Sequence, residues 1–230
     1  MKSISVLLAG AALCASAHAT VYQYDFSVAV QEMVEFSPST LTGGAVNSSN
    51  LTGTTISVGD LIYGHFSYDT DTGLLGNFGA GPVYSSSGAN NTLSASHNFH
   101  NLALDAASDN INVVQVLNNA AILNGGDDFA VGNLSSNDRA SQLMVVSFFD
   151  PSGLALSNDG IPGAIVPGAF SQSNFSYLYT DKASNTMMGA NGTLTSLTLA
   201  TPVPEPESYA MLLGGLGLLG FLARRRKAAR

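Results

Sequence analysis

The sequence predicts an all-β fold, a single antiparallel β-sandwich of jelly-roll type, with a cleaved signal peptide before it and one C-terminal transmembrane helix after it. Three observations carry the central part of that expectation. Apolar residues alternate with polar ones at period two, the signature of a half-buried strand. No central stretch has helical periodicity, and few Lys and Glu stand among many Ser, Thr and Asn, side chains that compete with the helical backbone. Gly, Asn, Ser and Asp punctuate the apolar runs at intervals that suit turns.

The elements follow in order. In segment 22–30, Tyr22, Tyr24, Phe26, Val28 and Val30 share one face, and Gln23, Asp25 and Ser27 the other. Phe175, Tyr177 and Tyr179 repeat the pattern against Asn174, Ser176 and Thr180. Segment 143–149 is apolar on both faces, which predicts a central strand covered on both sides. Further strands are predicted over 61–68, 92–99, 100–105, 111–117, 127–131 and 193–199. About eight to ten strands at this spacing suggest a sandwich. The polar segment 37–55 and the segment 154–168, with Pro162 and Pro167, are expected as surface loops.

The two ends read as targeting segments. Residues 1–19 have a positive start at Lys2, a short apolar run over 4–14, and small residues at Ala17 and Ala19, the pattern that signal peptidase cuts. Cleavage after Ala19 leaves Thr20 first and removes Cys14, the only cysteine, so the mature domain, 20–200, is stabilised without disulfides. Residues 201–208 form a stiff spacer, because Pro202, Pro204 and Pro206 fit neither helix nor central strand. Residues 209–223 are apolar all round, as a helix in lipid is. At 1.5 Å per residue they span about 23 Å, short of a hydrocarbon core of roughly 30 Å. Arg224, Arg225, Arg226 and Lys227, in the basic tail 224–230, extend the reach by snorkelling and place that end in the cytoplasm.

Pro204, Glu205 and Pro206, then an apolar Gly/Leu helix, then an Arg cluster, resemble the PEP-CTERM sorting tail, also catalogued as an ice-binding-protein C-terminal domain. The resemblance covers residues 202–227. It implies recognition of Pro204-Glu205-Pro206 by an exosortase, a membrane-embedded cysteine transpeptidase, followed by cutting and passage to the cell surface or the extracellular matrix. It also implies a Gram-negative producer of exopolysaccharide. Within the domain, the segments 64–69 and 192–197 are similar to segments of other exported PEP-CTERM proteins, a likeness that implies a shared β-sandwich and no particular activity.

Charge excludes some functions. Between Thr20 and Val203 stand fourteen Asp and Glu against only Arg139 and Lys182, a net charge of −12. So acidic a surface repels nucleic acid and anionic headgroups. Asp69 and Asp71, with Gly73, form the beginning of a calcium loop without its distant Glu, and an Asp-rich turn has the same composition. Asn124 to Asp128 is a similar turn. His97 and His100, three apart on one strand, face opposite ways and fit no fixed zinc spacing; only convergence in space with His65 would gather them. No G-x-S-x-G elbow and no phosphate-cradling glycine loop is present. Tyr22, Tyr63, Tyr84, Tyr177 and Tyr179 are available either to stack on sugars or as cross-strand pairs. Six N-x-S/T sequons begin at Asn47, Asn50, Asn90, Asn133, Asn174 and Asn191.

The function expected is that of an exported, non-catalytic envelope or matrix protein, its partners signal peptidase, exosortase, exopolysaccharide and, through the tail, the membrane. The alternatives are a carbohydrate- or calcium-binding module and, third, a secreted glycan-active enzyme.

Overall fold

The computed structural model describes residues 20–200 apart from 39, 41, 79, 86–89 and 106. The chain divides between Ala200 and Thr201 into two compact units. The signal segment 1–19 and all of 201–230, with the predicted spacer, helix and basic cluster, lie outside the described residues. Among the described residues no helix is long and apolar enough to cross a membrane.

The domain is all-β. Its strands are β1 (Val21–Ser37), β2 (Thr42–Ala45), β3 (Ser48–Ser49), β4 (Ile56–Ser57), β5 (Leu61–Asp69), β6 (Leu74–Asn77), β7 (Pro82–Tyr84), β8 (Thr92–His97), β9 (His100–Asn101), β10 (Asp109–Ala120), β11 (Gly126–Ser136), β12 (Ala140–Asp150), β13 (Gln172–Asp181) and β14 (Thr186–Leu199). Twelve of them form one sheet in the order β6-β7-β10-β11-β12-β13-β14-β1-β5-β8-β9, with β2 added to β1, and β3 pairs β4 separately. Five consecutive strands, β10 to β14, form a meander, and the last of them closes onto β1, the first.

The expected jelly-roll sandwich of two sheets is therefore corrected to a single antiparallel sheet curled over itself. Strands far apart in the order meet inside: the Phe66 ring of β5 lies 6.1 Å from Phe148 of β12, and Tyr68 lies 5.0 Å from Phe129 of β11. Bulges supply part of the curvature. The β1–β14 register shifts between Ser27 and Val28 and again between Val30 and Glu32. The second shift also moves the buried phase of β1, from Tyr24, Phe26, Val28 and Val30 to Met33. Gly192 sits beside it, where a Cβ would lie 2.2 Å from the Ala29 carbonyl oxygen.

Other expectations are met or corrected strand by strand. The alternation of 22–30 is the core side of β1, with only Tyr22 half-buried at its start. β12 is buried on one face, through Met144, Val146 and Phe148, and half-buried on the other, where Leu143, Val145 and Phe149 shield one another and their cross-strand neighbours. An antiparallel sheet permits that one-sided wetting. The polar segment 37–55 contributes β2 and β3, which pair through backbone and needed no apolar pattern. Segment 92–105 is not two successive strands. Asn98 (φ 48°) and Phe99 (φ 66°) make a two-residue turn, so β9 returns along β8 and His97 stands opposite His100.

The long loop 151–171 seals one end of the curled sheet. Tyr68 donates its hydroxyl hydrogen to the Gly163 carbonyl, and the Ile165 N–H donates to the Tyr24 hydroxyl at 2.7 Å. Both phenols are driven above their ordinary pKa by burial, so these bonds stay intact across neutral pH.

Candidate functional site

Both described ends of the domain lie at that sealed end. The Ala200 N–H donates to the Gln23 carbonyl at 2.8 Å, and Leu199 pairs with Tyr24. The opposite end of the sheet holds the β11–β12 and β13–β14 turns, and there the surface opens into a cleft of about 570 Å³. Its walls come from three places: Thr52 and Thr54 between β3 and β4, the segment 101–105, and the turn 137–140 with Tyr177 and Tyr179 behind it.

Local chemistry builds the walls. Asn137 organises the β11–β12 turn: its Oδ1 accepts the N–H groups of Arg139 and Ala140, each at 2.9 Å, and its Nδ2 donates to the Asp105 carbonyl at 3.0 Å. The buried Tyr177 hydroxyl donates to the Leu102 carbonyl at 3.2 Å and holds the facing wall. Tyr179 is half-buried, and burial first, then the charge of Asp181, keeps its phenol protonated. Behind the cleft an amide row crosses the strands. Asn133 donates to Asn110 at 2.6 Å and to Asn112 at 2.8 Å, while the buried Gln142 Oε1 and Ser135 Oγ have no partner among the described residues.

The predicted residues fall elsewhere. Asp69 is buried as the last residue of β5, and its Oδ1 accepts the Asp71 N–H at 3.0 Å, an Asx turn. The orphan atom beside it, Asn91 Nδ2, is a donor, which a cation does not want. Asp71 alone presents a free carboxylate, and among the described residues no group of three His, Cys, Asp or Glu is gathered. Melting in millimolar calcium, magnesium and chelator is expected to coincide, and a calcium shift abolished by Asp71→Ala would restore the calcium loop. The second acidic turn continues into β11, with Asp127 inside the fold. His97 bonds Asp60 at 3.0 Å within the domain, and His65 bonds Asp25 at 3.0 Å on the outside. Of the sequons, Asn133 is buried and closed to glycosylation in the folded state. Of the five tyrosines, Tyr177 and Tyr179 line the cleft. Tyr22 packs on Tyr68 at 5.5 Å, Tyr84 donates to the Asp159 carbonyl at 2.5 Å, and Tyr63 is exposed on the outer face. The remainder of the cleft was not marked in the sequence, because turn residues such as Asn137 and Asn101 have the composition of any loop.

Asp128 gives a pH prediction. It stands on the outer face between Leu117 and Phe149, without a hydrogen bond, and desolvation raises its pKa to about 6. The raised value favours folding below the unfolded pKa, and that contribution is lost as pH rises toward 6. Asp128→Asn is expected to stabilise by roughly 1–2 kcal/mol at about pH 7.5 and by little at about pH 4, read from denaturant midpoints.

A self-contained acidic β-domain followed by a separate tail is the build of an exported protein that carries its sorting signal at its C-terminus. The family model of the PEP-CTERM protein-sorting motif matches residues 202–227, so the chain carries that motif. No curated protein and no solved structure matches the chain. The motif implies export, anchoring in the membrane before processing, and an exosortase as the processing partner.

Proposed function

We propose that the protein is a non-catalytic component of the cell surface or extracellular matrix, and that its domain holds exopolysaccharide in the cleft lined by Tyr179. The observation that carries this reading is the cleft itself: two tyrosines, threonine hydroxyls and asparagine amides around an open space of about 570 Å³. A phenol face gives a sugar ring an apolar platform, and the Asn101 Nδ2 and the threonine hydroxyls can exchange hydrogen bonds with its hydroxyls. The opening lies at the end of the sheet opposite Ala200.

The test is co-sedimentation of the purified full-length chain with insoluble polysaccharides in detergent solution. Wild type is expected to bind at least one, and Tyr179→Ala to weaken that binding about tenfold, the loss of one stacking platform of roughly 1–3 kcal/mol. Release of new reducing ends during the incubation would favour the glycan-active enzyme instead.

A further inference from the structure

We infer that the cleft takes an acidic glycan, one bearing carboxylate or sulfate groups, and that Arg139 is the residue that pairs with the anion. The inference rests on the glycan-binding reading and deepens it by naming the ligand class. Its starting point is where the domain keeps its positive charge. Fourteen acids are spread over the chain from Thr20 to Val203, yet the only two cations, Arg139 and Lys182, occupy adjacent turns at the same end of the sheet. The two turns are stitched together, since the Lys182 N–H donates to the Arg139 carbonyl at 2.8 Å.

Neither cation is spent on a carboxylate. The Lys182 ammonium donates to the Asn137 carbonyl at 2.6 Å, and the neighbouring Asp181 carboxylate is turned to Ser184, whose hydroxyl lies 2.5 Å away and holds its pKa low. Arg139 lines the cleft together with Asp105 and Asp138, and its guanidinium makes no ion pair among the described residues. A solvated turn arginine in a domain of net charge −12 has many carboxylates to meet. This one lines a cleft that holds the Asp105 and Asp138 carboxylates as well as groups that suit sugar hydroxyls, and it pairs with neither carboxylate. A guanidinium offers a planar fork of donors that matches a carboxylate or sulfate in two parallel bonds. The distant acids of the domain oppose a polyanion only weakly, because charges more than about 8 Å away are screened at physiological salt. Asp105 and Asp138 oppose it within the cleft, so the bidentate contact with Arg139 is what the anion must gain.

The experiment compares polygalacturonate with neutral dextran as probes for the full-length chain in detergent at physiological salt. Wild type is expected to bind polygalacturonate at least tenfold more tightly than dextran. Arg139→Gln is expected to remove most of that preference, read as the ratio of the two affinities, and Arg139→Lys to restore only part of it. Unchanged melting of the variants shows that the fold is intact. Equal binding of the two polymers, or a preference that survives Arg139→Gln, would overturn this inference and leave the glycan-binding reading standing. Failure of the chain to bind either probe or any other polysaccharide would overturn both.

Discussion

Exported chain in which Pro204, Glu205 and Pro206 are replaced is expected to accumulate uncut in the inner membrane, while chain ending at Thr201 is expected to leave the membrane as a folded soluble domain. The two changes act on different parts of the tail. The motif model covers 202–227, and the domain completes its sheet before it, at Leu199 of β14. The expectation takes Pro204-Glu205-Pro206 as what an exosortase reads and the apolar run 209–223 as what inserts, so the first can be lost with the second kept. Loss of everything after Thr201 removes reading and insertion together. The expected effect is all-or-none in each case and is read by membrane fractionation with an antibody against the domain. Cut protein outside cells from the altered chain, or an unfolded product from the truncated one, would refute the separation of sorting from folding.

The largest effect on stability is expected inside the domain, at Asp127. Its side chain is fully buried, with no cation beside it. One oxygen accepts the Asn119 N–H and the other the Leu156 N–H, each at 2.7 Å. The carboxylate thus ties the β10–β11 connection, where Asn119 has φ 49°, to the loop that seals the end of the sheet. Asp127→Ala leaves two buried N–H groups without acceptors. At about 1–3 kcal/mol for each, the loss is expected to be roughly 3–5 kcal/mol, a large part of the stability of a single domain. Asp127→Asn should also destabilise, because one of its ends presents a donor to an N–H. The exposed Asp71→Ala should shift the denaturant midpoint by little.

Much of the sheet was legible in the sequence. β1, β5, β10, β11, β12, β13 and β14 all carry apolar residues at period two or in continuous runs, because each packs at least one face into the core. What was not legible has physical reasons. β2 and β6 bury no side chain and are held by backbone pairing, and Pro82 is tolerated because β7 lies near a sheet edge. The turn at Asn98-Phe99 hides behind a residue that rarely adopts positive φ, so the return of β9 along β8 could not be read. One curled sheet and two stacked ones impose the same alternation on every strand. Only the long-range register, such as Phe26 opposite Leu197, separates them.

The candidate site shows the same division. Tyr177 and Tyr179 were visible as alternating aromatics, and the scarcity of cations was visible in the composition. That Arg139 and Lys182 stand side by side depends on the pairing of Ala140 with Asp181, a contact between strands with no local signature. Asp69 and Asp71 drew attention because their spacing begins a calcium loop, and in the fold the Asp69 carboxylate accepts the Asp71 N–H.

We propose that the sorted domain retains polysaccharide through its cleft. The most direct measurement is the distribution of the exported protein between the cell's own exopolysaccharide and the surrounding medium, in cells carrying wild type or a Tyr179→Ala, Arg139→Gln double variant. Wild type is expected to sediment with the matrix and to be released when the polysaccharide is enzymatically digested, and the variant to appear in the medium although it is cut normally. Equal retention of the two proteins, or retention unaffected by the digestion, would contradict the account.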